Sequence, residues 1–271
     1  MSAKAKSLPE LIQILEFESS KAIRWFQNNK MIVNASKFQA IILTKKKEHI
    51  TNNLIINNEV IESKLMVELL GISIDDKLNF NTQISNICRQ AANQLNSLYR
   101  FNNYLDSYSR KLATISYILS NFSYCPLVWH FCSAKSKDKL EKLNNRAFKF
   151  LNQPNESLQT TLEIKRLRLI ILEIFKTLNG LNPPFMNDIF SKSVNRSSDR
   201  FCNNLKSFKV EHVTFGKRSL RFIGPVLWNS LPQNIKDSKD INKFKQFLKE
   251  WGNPGCPHYN KFVNYCTALS I

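Results

Sequence analysis

The sequence is poor in acidic residues and in glycine, and its cysteines are scattered. It contains 21 Asp and Glu against 39 Lys and Arg, with only six Gly and six Cys in 271 residues. No two cysteines form a C-x-x-C pair, which argues against a disulfide framework and against a standard zinc site. There is no glycine-rich phosphate loop, and no serine lies in a nucleophile motif with a matching His and Asp set. The absence of these motifs argues against a nucleotide-binding enzyme and against a serine hydrolase.

Long apolar runs are also missing. No stretch approaches the ~20 consecutive apolar residues that a membrane-spanning helix needs. The segment Met1–Ser7 lacks the apolar core of a secretory signal. We therefore expect an intracellular protein without a membrane partner, in the nucleus or the cytoplasm.

Positive charge is the most unusual feature of the composition. The formal net charge is +18 at pH 7, and 43% of the residues are hydrophobic, which is enough to form a core. So large a positive excess indicates contact with a polyanion, with nucleic acid as the leading candidate. The alternative is that the lysines are simply solvated.

The first 80 residues predict one helix followed by short strands. Apolar residues recur at helical spacing from Pro9 to Gln27. Gln39–Leu43 is predicted to be a strand, and Asn57-Asn58 is predicted to be the turn of a hairpin because Asn tolerates positive φ. Met66–Ile74 is predicted to be one further strand that contains Gly71, where a glycine often marks a bulge. Together these elements predict a short antiparallel β segment.

Helical patterns dominate after Asn79. Helices are predicted from about Asn81 to Tyr104, from Ser136 onwards, over Leu162–Leu178 and after Asp240, where Ser136 and Asp240 are the expected N-caps. The predicted fold class is therefore α+β, with a short antiparallel β segment followed by a mainly helical region.

One predicted helix is strongly basic. The cations are Lys137, Lys139, Lys142, Arg146 and Lys149. A helix with this charge is typical of a surface that follows a nucleic-acid backbone without reading its sequence. The alternative interpretation is a solvated helix face.

Several motifs resemble the region that follows the catalytic strand of non-LTR (LINE-type) retrotransposon reverse transcriptases. Trp25–Lys37 fits W-x-x-x-N-x-M-x-x-N-x-x-K, and Leu70–Phe80 fits L-G-I-x-I-D-x-x-L-x-F. Four later segments resemble further elements of the same enzymes, in the same order: Tyr124–Trp129, Lys139–Ala147, Phe175–Pro184 and Phe222–Pro232. The resemblance covers nearly the whole chain.

The resemblance implies a domain order and a parent activity. Residues 1–79 would be part of a polymerase palm, 80–152 a helical thumb, and 153–271 a mainly helical C-terminal segment. The parent activity is RNA-directed DNA synthesis, which uses Mg²⁺. The resemblance places Lys37 near the incoming triphosphate and Leu70-Gly71 in the primer grip, a strand that lies against the primer end. For Lys37 a solvated lysine is the competing interpretation, and for Leu70-Gly71 an ordinary core strand.

The catalytic carboxylates of this family lie upstream of the matched region. Polymerase chemistry needs such carboxylates to hold two divalent cations. Asp75-Asp76 falls in the segment after the active site, so we expect it to form a turn. We therefore expect no catalytic residue, no cofactor and no polymerase activity in this chain, with weak, nonspecific RNA or DNA binding at most. The alternative is a host-retained, non-enzymatic binding or scaffold protein.

Two smaller sets of residues have competing interpretations. Cys256, His258 and Cys266 resemble the approach to a C-terminal cysteine cluster, but a tetrahedral site needs a fourth ligand, so we expect no metal there. The four tryptophans could stack on bases, but all lie on apolar faces or in apolar runs, so we expect them in the core. They are Trp25, Trp129, Trp228 and Trp251.

Overall fold

The structure is a computed structural model of the whole chain. It describes residues 1–44, 46, 48–151, 161–190, 203–209, 216 and 219–251. The fold class is α+β, mainly helical with two small antiparallel hairpins. The chain divides into two compact units, Met1–Gln83 and Ile84–Ile271.

The first unit begins with helix α1 (Leu8–Asn28), as the apolar spacing predicts. Pro9 lies in the first turn, where its missing N–H costs no hydrogen bond. Asn29 ends the helix, and its side-chain amide donates to the carbonyl oxygen of Trp25 at 2.8 Å. The Glu16 carboxylate of α1 accepts from the backbone N–H of Ile55 at 2.8 Å, which ties the helix to the first hairpin.

That hairpin forms where the two asparagines predict it. Strands β1 (Asn53–Ile56) and β2 (Glu59–Glu62) are antiparallel, with Ile56 opposite Glu59. Asn57 and Asn58 have φ of 55° and 62°. A two-residue loop with positive φ at both positions matches the right-handed twist of the strands, and Asn adopts this conformation at low cost.

The predicted single strand Met66–Ile74 is wrong. The segment forms a second hairpin, β3 (Met66–Leu69) and β4 (Ile72–Asp75), with Leu69 opposite Ile72. Leu70 and Gly71 form its turn with φ of 50° and 77°. The error arose because Leu is rarely found in the left-handed region, so its position in an apolar run favoured a continuous strand.

The strained turn supplies a test of this hairpin. A non-Gly residue with positive φ costs about 1–2 kcal/mol, and Asn relieves part of that cost. Leu70→Asn is therefore expected to raise the free energy of unfolding by about 0.5–1 kcal/mol in urea titrations. The matched variant Leu69→Asn, on an exposed strand position, is expected to lower it. A loss of stability with Leu70→Asn would favour the continuous strand.

The predicted strand Gln39–Leu43 is also wrong. This segment makes only an isolated parallel bridge, between Ala40 and Ser63. It is held instead by single contacts, such as the Gln39 side-chain oxygen, which accepts from the N–H of Glu68 at 3.0 Å. No described strand pairs with this segment, so its high strand propensity does not lead to a strand.

Asp75, the last residue of β4, holds the turn that follows it, in agreement with the turn predicted at Asp75-Asp76. One carboxylate oxygen accepts from the N–H of Lys77 at 3.2 Å and of Asn79 at 3.0 Å. The other accepts from the N–H of Phe80 at 2.7 Å. The carboxylate thus satisfies the backbone donors of the loop that precedes the next helix.

Helices follow the second hairpin. They are α2 (Asn81–Arg100), α3 (Ser107–Ala113), α4 (Ser120–Ser123), α5 (Pro126–Trp129), α6 (Ala134–Phe150), α7 (Leu162–Leu178), α8 (Leu220–Asn229), α9 (Gln233–Lys236) and α10 (Ile241–Glu250). A π-helical turn, Thr114–Leu119, joins α3 to α4. Short 3₁₀ helices lie at Ala35–Lys37, Asn102–Tyr104 and Pro184–Ile189. None of the described helices has the length and apolar character needed to cross a bilayer.

The main core of the second unit forms around α7. Its apolar face packs against α8 and α10, and the rings of Phe175 and Phe244 stack with centroids 4.1 Å apart. Trp228 is buried, and its indole N–H donates to the carbonyl oxygen of Asn203 at 2.8 Å. Gly224 is required in α8 because an added Cβ would lie 2.5 Å from a ring carbon of Phe190.

Three of the four tryptophans are in the core. Trp129, Trp228 and Trp251 are each at most 1% exposed, as predicted. Trp25 contradicts the prediction, because 57% of its surface is exposed. Trp25 lies near the C-terminal end of α1, and the described residues around it do not cover enough of its ring to bury it.

Candidate nucleic-acid interface

Helix α6 is the element that carries most of the predicted binding residues. Ser133 is its N-cap, and the hydroxyl accepts from the backbone N–H of Ser136 at 3.3 Å. The predicted cap, Ser136, is instead a buried residue within the first turn. Leu140, Leu143 and Ala147 are buried, so one face of the helix is fixed against the core and the other faces outward.

Five exposed cations lie along the outward face. We call this set the basic stripe, and it consists of Lys135, Lys139, Lys142, Arg146 and Lys149. The spacing alternates between four and three residues, which keeps all five side chains on the same face of a helix. At ~1.5 Å of rise per residue, the stripe is about 21 Å long.

Lys137 does not belong to the stripe, although it was predicted with it. Its ammonium lies 3.6 Å from a carboxylate oxygen of Glu163 and its side chain is only 26% exposed. Two residues along a helix turn the side chain by about 200°, so Lys137 points away from Lys135 and Lys139. Lys135 was missed, although its position four residues before Lys139 would have identified it.

The stripe is electrostatically uncompensated in the part of the chain that the structure describes. None of its five cations lies within 4 Å of a described carboxylate. Asp138 is the only exposed acid on α6. Glu141 is half-buried, and its two oxygens accept from the side-chain amide of Asn144 at 3.3 Å and from the backbone N–H of Leu162 at 3.0 Å. A field of one sign is what attracts a polyanion.

An aromatic side chain lies beside the C-terminal end of α6. The ring of Tyr99 packs edge-on against Phe150, with centroids 4.7 Å apart, and Tyr99 remains 46% exposed. Phe150 is the residue after Lys149, the last cation of the stripe. Exposed aromatic rings next to a cationic track are the usual elements of single-strand binding, since unpaired bases stack on them.

The other predicted binding residues lie in the first unit. Lys37 is exposed and is the last residue of the 3₁₀ helix Ala35–Lys37. Leu70 is 83% exposed and Gly71 is also exposed, both in the turn of the β3–β4 hairpin. The competing interpretation of Leu70-Gly71 as a core strand is therefore wrong. Leu70 and Gly71 form the turn of a hairpin, and the primer-grip role that the resemblance implies for them stays a prediction.

The carboxylates of Asp75 and Asp76 are occupied by protein donors. No group of three or more His, Cys, Asp or Glu close enough to hold a metal ion occurs in the described ranges. Asp75 accepts three backbone N–H groups, and Asp76 is buried with its carboxylate 2.6 Å from Nδ1 of His49. The pair is thus engaged with protein donors and does not offer the carboxylates that a polymerase's two Mg²⁺ ions need.

The cysteine and histidine groups give no further metal site among these residues. Cys125 is exposed in the left-handed conformation, whereas His130 and Cys132 are buried in the core. Cys256, His258 and Cys266 lie outside the described residues.

Comparison with known proteins gives no relative for this arrangement. No family model, no curated protein and no solved structure matches the chain.

Proposed function

We propose that the chain binds nucleic acid without sequence preference, through the basic stripe on α6. The observation that carries this proposal is the alignment of five exposed cations on one helix face, with no compensating carboxylate within 4 Å among the described residues. Such a surface contacts phosphates and is blind to the bases, because every nucleotide presents the same phosphate oxygens to Lys and Arg.

Single-stranded RNA or DNA is the expected form of the ligand. Tyr99 packs against Phe150, the residue after the last cation of the stripe. Three more aromatic residues that follow α2 are more than half exposed: Phe101, Tyr104 and Tyr108. Unpaired bases can stack on such rings, whereas bases within a duplex cannot reach them.

We further propose that the chain derives from the C-terminal part of a non-LTR retrotransposon reverse transcriptase. The support is that motif residues have definite structural roles. Leu70-Gly71 forms a tight turn, Asn179 ends α7, and Trp228 is a core residue. The order of a small β-containing unit before a helical unit agrees with a distal palm followed by a thumb and a C-terminal segment.

Salt dependence tests the binding proposal directly. Each phosphate contact to a single strand contributes a slope of about −0.7 in log K against log[salt]. Five contacts give about −3.5, so raising NaCl from 50 to 200 mM is expected to weaken binding about 100-fold. Filter binding of a generic 20-nucleotide RNA measures this. A flat dependence on salt would remove the electrostatic basis of the proposal.

Primer extension tests whether this chain has the RNA-directed DNA polymerase activity of the proposed parent family. The metal-binding carboxylates of the parent family lie upstream of the matched region, and Asp75 and Asp76 are engaged elsewhere. We expect no product on a primed RNA template with Mg²⁺ or Mn²⁺, while an active reverse transcriptase extends the same template. Extension by this chain would contradict our expectation that the active-site carboxylates lie upstream of the matched region.

An apolar ridge favours a second candidate, a host-retained scaffold protein. Tyr108, Leu112 and Ile115 follow one another at helical spacing and are 73%, 55% and 45% exposed. Exposed apolar rows of this kind are typical of protein contact surfaces. A single-copy, spliced locus would support this candidate. A multicopy locus with an in-frame upstream A-D-D strand would support the retrotransposon.

A further inference from the structure

A small cavity in the second unit is lined by two cations and an amide. Its volume is about 50 Å³. The polar lining consists mainly of Asn144 from α6 and of Lys165 and Arg166 from the second turn of α7, and apolar walls come from Phe122 and Leu162. None of the three polar residues belongs to the basic stripe.

Arg166 is the unusual member of this group. It is only 3% exposed, and its Nε and Nη1 atoms have no hydrogen-bond acceptor among the described residues. No described carboxylate lies within 4 Å of it, although its guanidinium lies 5.4 Å from the ring centroid of Trp129. Burial lowers the Arg166 pKa, whereas the charges of Cys132, Glu163 and Glu141 raise it by a smaller amount. A guanidinium stays charged in proteins, so this charge needs a partner.

Lys165 adds a second positive charge to the same wall. Its ammonium lies 5.3 Å from the ring centroid of Phe148, and burial lowers its pKa, although Glu141 raises it. Glu141 acts on the charge of Lys165, and Glu163 and Glu141 act on that of Arg166. Glu163 lies 3.6 Å from the ammonium of Lys137, and the oxygens of Glu141 already accept from Asn144 Nδ2 and from the N–H of Leu162. The cavity wall therefore carries an excess of positive charge.

Asn144 contributes an acceptor to the cavity. It is 1% exposed, and no described residue donates to its Oδ1 atom. The amide orientation is fixed by Glu141, because the reversed amide would set Oδ1 against a carboxylate oxygen. The cavity thus combines cationic donors with one acceptor that needs a hydrogen donor.

We propose that this cavity binds a phosphate group, with Arg166 and Lys165 donating to its oxygens and Asn144 Oδ1 accepting from its P–OH. Engineered cavities of about 150 Å³ hold a benzene ring, so a cavity of about 50 Å³ is too small for a nucleobase. It is partly open to solvent and can receive the oxygens on one side of a phosphate group. Hydrogen phosphate carries the required O–H at neutral pH, whereas sulfate does not. The site should therefore prefer phosphate to sulfate.

The test is an isothermal calorimetric titration of the full chain with sodium phosphate at constant ionic strength. We expect one saturable site, with sulfate binding at least tenfold more weakly, because sulfate leaves the Asn144 acceptor unpaired. Absence of saturable phosphate binding would overturn the site. Equal affinity for the two anions would overturn the role of Asn144.

Two variants locate the site. Arg166→Met keeps the apolar stem but removes the donors, and is expected to abolish saturable binding. Lys165→Met is expected to weaken phosphate binding at least tenfold. It replaces Arg166→Met as the test if circular dichroism shows that Arg166→Met does not fold. The stripe variant Lys139→Gln is the matched control and should leave phosphate affinity unchanged. Unchanged affinity in Lys165→Met, or a loss in Lys139→Gln, would place the anion elsewhere.

Two further arms test Glu156 as an internal partner and identify the source of the phosphate. Glu156, the one acid in sequence positions 152–160, is replaced by Gln, and unchanged affinity is expected. Phosphate binding that appears only in Glu156→Gln would show that Arg166 pairs within the chain, which overturns the proposal. The competition is run at pH 6, where a phosphate monoester, with a second pKa of about 6, still carries its P–OH in about half of the molecules. A 5′-phosphorylated dinucleotide that competes with phosphate, while its unphosphorylated form does not, assigns the site to nucleic-acid termini. No competition from either assigns it to inorganic phosphate.

Discussion

Replacing the five stripe cations by glutamine is expected to remove most of the affinity for single-stranded RNA. The variant is Lys135→Gln, Lys139→Gln, Lys142→Gln, Arg146→Gln and Lys149→Gln. If all five contact phosphates, the slope of log K against log[salt] should become less negative by about 3.5, at about −0.7 per contact. At 50 mM salt the affinity should fall at least 100-fold, because counterion release supplies most of nonspecific binding. Filter binding across a salt series measures both quantities.

A charge-matched control separates the stripe from net charge. Lys4, Lys6, Arg24, Lys243 and Lys245 are exposed, and none makes an ion pair with a described residue. Changing all five to Gln lowers the formal charge from +18 to +13, as the stripe variant does. The control should keep the steep salt slope. Equal losses in the two variants would mean that the whole surface binds nonspecifically and that α6 has no special part.

Lys137 provides a single-residue version of the same test. Lys137→Gln is expected to leave the salt slope within about 0.2 of the wild-type value, since its ammonium lies beside Glu163 and not on the stripe. Lys139→Gln should reduce the slope by about 0.7. The difference between these neighbouring lysines is a direct consequence of helical geometry.

The sequence predicts elements well where local chemistry decides the conformation. Asn57-Asn58 identified a hairpin because both residues accept positive φ, and Asp240 identified the start of α10, where its carboxylate accepts from the N–H of Asn242 at 2.8 Å. It fails where tertiary packing overrides propensity. Leu70 adopts φ of 50° because the register of β3 and β4 requires a two-residue turn there.

The candidate sites differ in the same way. The stripe depends on spacing within one helix, so its outward face could be predicted, and only the choice between Lys135 and Lys137 was wrong. The phosphate cavity depends on Asn144 and Arg166, which are 22 residues apart in the sequence and meet only when α6 packs against α7. No periodicity marks such a pair. The exposure of Trp25 is likewise unpredictable, because an amphipathic pattern does not show which part of the apolar face is covered.

His130 should make the stability of the protein strongly pH-dependent. It is 3% exposed, and burial lowers its pKa from 6.5 to about 3, with the charges of Arg166 and Lys137 acting in the same direction. The folded protein therefore keeps His130 neutral, while the unfolded chain takes up a proton below pH 6.5. The stabilisation is complete above pH 6.5 and is lost as the pH falls towards 3. At about 1.36 kcal/mol per pH unit, the free energy of unfolding should drop by about 2 kcal/mol from pH 7 to pH 5.

Urea unfolding at pH 7 and pH 5, followed by tryptophan fluorescence, measures this loss. His130→Met cannot titrate, so its free energy of unfolding should change by less than about 0.5 kcal/mol over the same range from this cause. The matched control is His49→Gln, because the His49 side chain is 57% exposed and should leave most of the loss in place. An equal loss in His130→Met and in the wild type would mean that other groups dominate the acid sensitivity. A loss confined to chains with His130 would identify this one buried imidazole as the group that sets the lower pH limit of the fold.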